Sequence, residues 1–148
     1  MCCSMHHNVL NPLKFTLFVH IHILAYNKEK GVESLVYIHG QNVLGIQVDS
    51  ETRCAHYHKE IDRIAIKFYC CNQYFPCYEC HAQCGCGQPK PWPKNTFDQK
   101  AVLCGDCGYE LTVAQYLNCQ SNCPNCHSTF NPSCSLHAHL YFETEKGS

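Results

Sequence analysis

Apolar residues alternate with polar or small ones over residues 64 to 69: Ile64, Ile66 and Phe68 share one face, and Ala65, Lys67 and Tyr69 share the other. That period predicts a half-buried strand. Asn72-Gln73 then predicts a turn, and Tyr74-Phe75 the returning arm of a short hairpin. Ala101-Val102-Leu103 predicts a further short strand, and Leu140 to Phe142 a closing one. One helix is predicted, opened by Thr112-x-x-Gln115 as a capping box and ending near Asn118. Its residues Val113, Tyr116 and Leu117 are spaced to bury one side.

The first thirty residues have a different texture. Leu13 to Leu24 is an apolar run of about a dozen residues in which Lys14 is the only charge. It is too short and too rich in histidine to span a bilayer, and no small-residue cleavage pattern follows it. Three readings stay open: an extra strand, with Phe18, His20 and His22 alternating against Leu17, Val19, Ile21 and Ile23; an unstructured extension; or residues ahead of the true start. No membrane role is expected.

Composition limits what the apolar pattern can achieve. The chain has 148 residues, 45% of them hydrophobic, but that figure counts fifteen cysteines as apolar. Without them roughly a third is aliphatic or aromatic, a thin supply for a packed core. Another source of stability is implied. Fifteen cysteines with eleven histidines point to disulfides or to metal. Histidine has no special use in a disulfide scaffold, and many of these cysteines come as C-x-x-C or adjacent pairs, so metal is favoured. Thiolates must stay unoxidised to bind it, so a reducing, cytoplasmic setting is expected. The formal net charge of -1 offers no steering toward nucleic acid. Ten metal-bound thiolates and three zinc ions would move it to about -5.

The densest soft-ligand stretch is Cys70-Cys71, then Cys77-x-x-Cys80-His81. Side chains alternate along a strand, so Cys70 and Cys71 are expected to serve different sites, and His81 a different ion from its neighbour Cys80. Upstream lies Cys54-Ala55-His56; downstream lie Cys84 and Cys86, then the knuckles Cys104-x-x-Cys107 and Cys123-x-x-Cys126. The spacing of the last two knuckles allows a four-cysteine ribbon around one ion, and equally allows each to be shared with other ligands. Cys119, Cys134, His137 and His139 form a leftover group that offers a fourth metal site, or else packing residues.

Several motifs in order, Cys54-x-His56-Tyr57, Cys70-Cys71, Pro76-Cys77-x-x-Cys80-His81, Pro91-Trp92-Pro93-Lys94, Phe97 to Gly105 and Cys123-Pro124-Asn125-Cys126, resemble the CHY-type zinc finger family over residues 38 to 143. The resemblance is to its small stand-alone bacterial and fungal members. It implies a small zinc-stabilised α+β fold with short β-hairpins and one short helix around an interleaved three-zinc cluster. Residues 1–37 would then be an extension and 144–148 a tail. By the same resemblance one ion belongs to Cys54, His56, Cys77 and Cys80, and a second to Cys70, His81, Cys104 and Cys107. The third belongs to Cys71, Cys123, Cys126 and a loop ligand. The family's Asp-His is Cys86-Gly87 here, so Cys86 replaces the missing histidine, with Cys84 the alternative. The twelve ligands match three closed tetrahedral sites. If the chain is fungal, the family implies the mitochondrial intermembrane space.

These ions are expected to be structural, leaving the surface to act as a binding or adaptor module for an unidentified protein partner. The alternative is zinc handling or thiol-redox assistance to partner proteins. Redox catalysis is disfavoured because no knuckle is expected at a helix start behind a buried strand. No catalytic residue is assigned: Glu79 and Asp106 lie inside knuckles, where they shape the turn. The protein is expected to be a monomer, with no nucleic-acid or membrane partner. Trp92 is expected to lid the zinc cluster, with a surface anchor as the other reading.

Overall fold

The computed structural model describes residues 33–145. The Leu13 to Leu24 run and the last three residues of the expected tail lie outside them. The elements are β1 (Glu33–Ile38), β2 (Gln41–Ile46), β3 (Ile64–Phe68), β4 (Gln73–Phe75), α1 (Tyr78–Cys84), β5 (Lys100–Cys104), β6 (Glu110–Thr112) and α2 (Val113–Asn118). Two 3-10 segments, Lys94–Thr96 and Pro132–Leu140, complete them. The hairpins join in one six-stranded sheet of order β1-β2-β4-β3-β5-β6. All its pairings are antiparallel except β2 with β4.

The expected β3–β4 hairpin forms, with Ile66 opposite Phe75 and Phe68 opposite Gln73, which belongs to the returning strand and not to the turn. Asn72 takes φ 55° in the turn, a conformation asparagine tolerates better than most residues. The alternation is less one-sided than expected, because β3 is central and Ala65 is as buried as its neighbours. Ile64, Ile66, Val102 and Leu111 pack with Trp92, Phe130 and Phe142 in one cluster, while Ala65, Tyr74 and Leu103 pack with Ile38 and Val43 in another. Each sheet face therefore carries its own small core.

Helix α2 has the expected capping box: Thr112 accepts from the Gln115 N–H while the Gln115 side chain accepts from the Thr112 N–H. Val113 is buried, but Leu117 is 41% exposed, so the buried stripe is narrower than its spacing suggested. A second helix, α1, was not expected. It starts on the Cys77-x-x-Cys80 knuckle, where the Cys77 sulfur accepts from the Cys80 N–H at 3.4 Å.

Two expectations at the ends of the domain need correction. β1 begins at Glu33, so residues 33–37, assigned to the extension, belong to the sheet. The closing strand over Leu140 to Phe142 is instead the end of the Pro132–Leu140 3-10 segment, with only Phe142 bridging Trp92. Asn131 caps that segment through Ser133 N–H, and Pro132 presets its first φ.

Trp92 is 7% exposed and its indole N–H donates to the Lys67 carbonyl at 2.6 Å. Its backbone pairs with Tyr141 and Glu143 on the C-terminal segment. The proline-framed tryptophan is thus part of the same buried core cluster as Cys104 and Cys123, and not a surface anchor. Trp92→Ala should cost about 3–5 kcal/mol by large-to-small truncation, read as a lower urea midpoint of the metal-loaded protein.

Candidate metal centre

Short segments at the ends of strands and helices bring all twelve expected ligands into three groups, each with its ligand atoms within 4.8 Å of one another. The first is Cys54, His56, Cys77 and Cys80, the set the resemblance implied. The second is Cys70, Cys71, His81 and Cys86, and the third is Cys104, Cys107, Cys123 and Cys126. The implied sharing of Cys104 and Cys107 with Cys70 and His81, and of Cys123 and Cys126 with Cys71, is not what the structure has. The four-cysteine ribbon left open by spacing is. The first two groups interleave along the chain, and the third stands apart in sequence.

The reason is local. β3 ends at Phe68, and Cys70 and Cys71 lie in the turn that follows. The alternation that would send them to opposite faces has stopped, so both point to one group. Cys80 and His81, by contrast, sit on α1, where neighbours diverge by about 100°, and they do part: Cys80 to the first group, His81 to the second.

The third group rests on two matching turns. Gly108 N–H donates to Cys104 O and Cys104 N–H to Tyr109 O; likewise His127 N–H donates to Cys123 O and Cys123 N–H to Ser128 O. The fifth residue of each turn takes a positive φ, 77° at Gly108 and 64° at His127. Asp106 shapes this end of the molecule, accepting from Ser128 and pairing with Arg63 at 3.5 Å. The β1–β2 turn docks on the first of these knuckles, where the His39 ring donates to Gly105 O at 3.0 Å.

None of the thirteen described cysteines is in a disulfide. Sulfurs of the first group stand 3.7 Å apart (Cys54 and Cys77), and His56 Nδ1 lies 3.4 to 3.8 Å from the three sulfurs. In the third, Cys104 and Cys126 are 3.8 Å apart and Cys107 and Cys123 3.7 Å. In the second, Cys70 lies 3.3 Å from both His81 Nε2 and Cys86. A tetrahedron with 2.3 Å metal–sulfur arms has edges of about 3.8 Å, far from the S–S bond of about 2.05 Å. The spacing therefore fits cations at the centres.

Charge gives the same result. Hydrogen bonds from Cys77 and Cys80 hold the Cys54 thiol down at about 2, while Cys54 pushes Cys77 up and lifts Cys80 to about 12. One thiol of the trio ionises readily and the others cannot follow it without a positive charge among them. His81, wholly buried, is held below the usual imidazole range by desolvation. Its neutral ring is the form a metal needs.

The surroundings orient each ligand. With His56 Nδ1 turned to the sulfurs, its Nε2 faces the Gln83 carboxamide, 2.9 Å from the amide nitrogen; turned over, that amide places its oxygen as the acceptor for the Nε2 proton. Ile46 N–H donates to Cys80 Sγ at 3.4 Å. That approach needs glycine at 45, where a Cβ would lie 2.8 Å from Val48 and 3.0 Å from Cys80 Sγ. His81 stacks on Phe68 with ring centroids 3.9 Å apart and planes 3° from parallel. Gln83 and Phe68 had no signal as supports in the sequence, because the helix that carries Gln83 was not expected.

Cys84 is outside all three groups; its thiol donates to the Cys80 carbonyl at 3.0 Å and burial lifts it to about 11. The four leftover residues are not gathered into a metal-sized group. Cys134 and His137 line a cavity of about 210 Å³ against Cys54 and Cys77, while Cys119 lines a different one with Tyr116 and Phe130. One redox expectation is also overturned: Cys77-x-x-Cys80 does sit at a helix start, behind buried Tyr74 and Phe75.

A small sheet domain with twelve thiols and imidazoles in three cation-sized groups defines a cysteine-rich protein built to hold metal. Among known proteins, the chain is 41% identical over 104 residues to Helper of Tim protein 13 of Saccharomyces cerevisiae, covering 68% of this chain and 90% of that one. It is 42% identical over 100 residues to the protein of that name from Kluyveromyces lactis, covering 68% and 87%. An uncharacterised protein of Schizosaccharomyces pombe is 40% identical over 102 residues, covering 69% and 89%. The chain belongs to the Helper of Tim protein 13 family. No family model matches the chain, and no solved structure matches it. No helix of the described residues is long and apolar enough to cross a membrane.

Replacing Cys86 with Ala should lower the metal count by one in native mass spectrometry, whereas Cys84→Ala should leave it unchanged. Gly85→Ala should act on the same site, because a Cβ there would lie 2.5 Å from the His81 ring. Burial keeps His81 neutral in the folded chain, so the unfolded chain takes up the extra proton first as the pH falls. The stability of the metal-loaded protein should therefore fall as the pH drops below about 6.5, read by denaturation at pH 7.5 and 5.5.

Proposed function

We propose that this chain is a zinc-binding domain of the CHY type that assists small Tim proteins. Its twelve ligands, Cys54, His56, Cys77 and Cys80, Cys70, Cys71, His81 and Cys86, and Cys104, Cys107, Cys123 and Cys126, would hold three zinc ions. Zinc is the ion that suits closed sets of four cysteines, or of three cysteines and one histidine, at these spacings. What carries the reading is the 41% identity to a protein named for helping a Tim protein, over 90% of that protein's length. The partner is then a small Tim protein, and the compartment the mitochondrial intermembrane space instead of the cytoplasm.

Holding the fold is the first task of the metal. A closed zinc site contributes about 10–16 kcal/mol of apparent binding energy, against a whole-domain stability of about 5–15 kcal/mol. Clusters one and three join segments far apart in sequence, Cys54 to Cys80 and Cys104 to Cys126, so they bear on the fold most directly. The surface they support then acts as an adaptor.

A second reading, zinc handling for partner proteins, is favoured by one observation: Cys86 of the second cluster is exposed, whereas three of the four ligands of the first are buried. The helix-start position of Cys77 gives thiol-redox assistance some local support as well.

Full removal of metal by a strong chelator should abolish the far-UV circular dichroism of the domain. Purified chain should retain a reduced small Tim protein on an affinity column. A column that retains none, with the chain folded and metal-loaded, would refute the partner assignment.

A further inference from the structure

We infer that the cavity bounded by residues 52–62, the start of α1 and the Pro132–Leu140 segment receives a lysine side chain of a partner polypeptide, with the ammonium on Asp62 and the alkyl stem against tyrosine rings. This recognition does not depend on which protein the partner is, so it stands apart from the preceding reading.

The Pro132–Leu140 segment builds one wall. A 3-10 turn takes three residues, so side chains three apart eclipse. Cys134, His137 and Leu140 therefore share a face, and all three line the cavity. The other walls include Ile64 and Ile66 of β3 and Tyr78 in the first turn of α1. Tyr57 and Tyr141 add two more aromatic surfaces, and the Tyr78 and Tyr141 rings stand 6.3 Å apart between centroids with planes at 77°. The volume is about 210 Å³, whereas an apolar cavity of about 150 Å³ already takes a benzene ring. A four-carbon stem with its terminal nitrogen has room.

Charge selects what enters. Asp62 is 9% exposed, and its carboxylate accepts from the Asn131 side chain at 2.7 Å and from the Lys59 backbone N–H at 2.8 Å. Both donors are neutral, and no lysine, arginine or histidine among the described residues pairs with Asp62. A buried carboxylate without a counter-ion is costly, and a cation beside it offsets part of that cost. Glu79, exposed on α1, lines the same cavity and is likewise without an ion pair among the described residues. Cys54 and Cys77 of the first group line it too, and three thiolates around one divalent cation keep a net negative charge. No lysine or arginine among the described residues lines the cavity in return. Burial, and then Asp62, lifts the Cys134 thiol to about 11, which leaves it neutral. Thr52, fully buried on the wall, has a hydroxyl with no partner, a second acceptor for an incoming N–H.

Lysine fits this chemistry better than arginine. Each Asp62 oxygen already accepts one hydrogen bond, which suits a compact ammonium more than a two-pronged guanidinium. Tyrosine faces attract a cation and also pack an alkyl stem. The rim favours a polypeptide over a free amine. The face of the 3-10 segment beside the lining one carries Ser133 and Leu136; Leu136 is 74% exposed, and Tyr57 is 46% exposed. An apolar residue next to the partner's lysine would cover them, which a small amine cannot do.

The test uses the full chain loaded with zinc, followed by two-dimensional amide NMR as the peptide acetyl-Gly-Leu-Lys-Leu-Gly-amide is added. A matching peptide has norleucine in place of lysine, which keeps the stem and drops the ammonium. Shifts should fall on Tyr57, Tyr78, Leu140 and Tyr141. Binding should weaken at least about tenfold with norleucine, the size of one hydrogen bond to a charged group. Asp62→Asn should weaken the lysine peptide by a similar factor and leave the norleucine peptide unchanged. Equal binding of the two peptides would overturn the inference, as would shifts confined to other parts of the surface or no shifts at all. Butylammonium chloride that binds as tightly as the lysine peptide would assign the cavity to free amines and overturn the polypeptide partner. The two peptides on the unmodified chain decide the matter even if Asp62→Asn does not fold.

Discussion

Thiols brought within a tetrahedral edge of one another cannot all ionise unless a cation sits among them. Most of this structure is arranged around that constraint. The sheet is small, its cores are split between two faces, and α1 has seven residues, too few to persist alone in water. What keeps the loops and helix starts in place is the convergence of their sulfurs and imidazoles. Apolar packing then works at close range: Phe68 on His81, Trp92 in the core cluster that includes Cys104 and Cys123, Gly45 letting β2 reach Cys80.

The three groups are not equivalent. The first has its three sulfurs buried and brings the loop around Cys54 to the start of α1. The ribbon joins the end of β5 to the turn at Cys123 through two turns of the same hydrogen-bond pattern. The second is local and open on its sulfur side.

Redox chemistry looks different once α1 is known. Cys77-x-x-Cys80 at a helix start resembles the local setting of thiol-exchange enzymes. But both sulfurs already converge with Cys54 and His56, and both are buried. In this geometry the helix start gives the first group its N–H donor to Cys77 and no open nucleophile.

Much of this was legible in the sequence. Most candidate ligands need only residue type and spacing, namely the C-x-x-C turns, the C-x-H, the adjacent pair and the histidine after Cys80, whereas Cys86 was preferred to Cys84 through the family resemblance. The hairpin at 64–75 and the capping box at Thr112 are equally local, since alternation and reciprocal hydrogen bonds act within a few residues. The partition was not legible, because it depends on where each strand stops. Had β3 run three residues further, Cys70 and Cys71 would face opposite sides; the strand ends at Phe68, and the turn sends both to one group. Nor could spacing show that Gln83 supports His56 while His81 has no such partner. Those differences arise when separate segments pack, and they make one of three chemically similar sites unlike the other two.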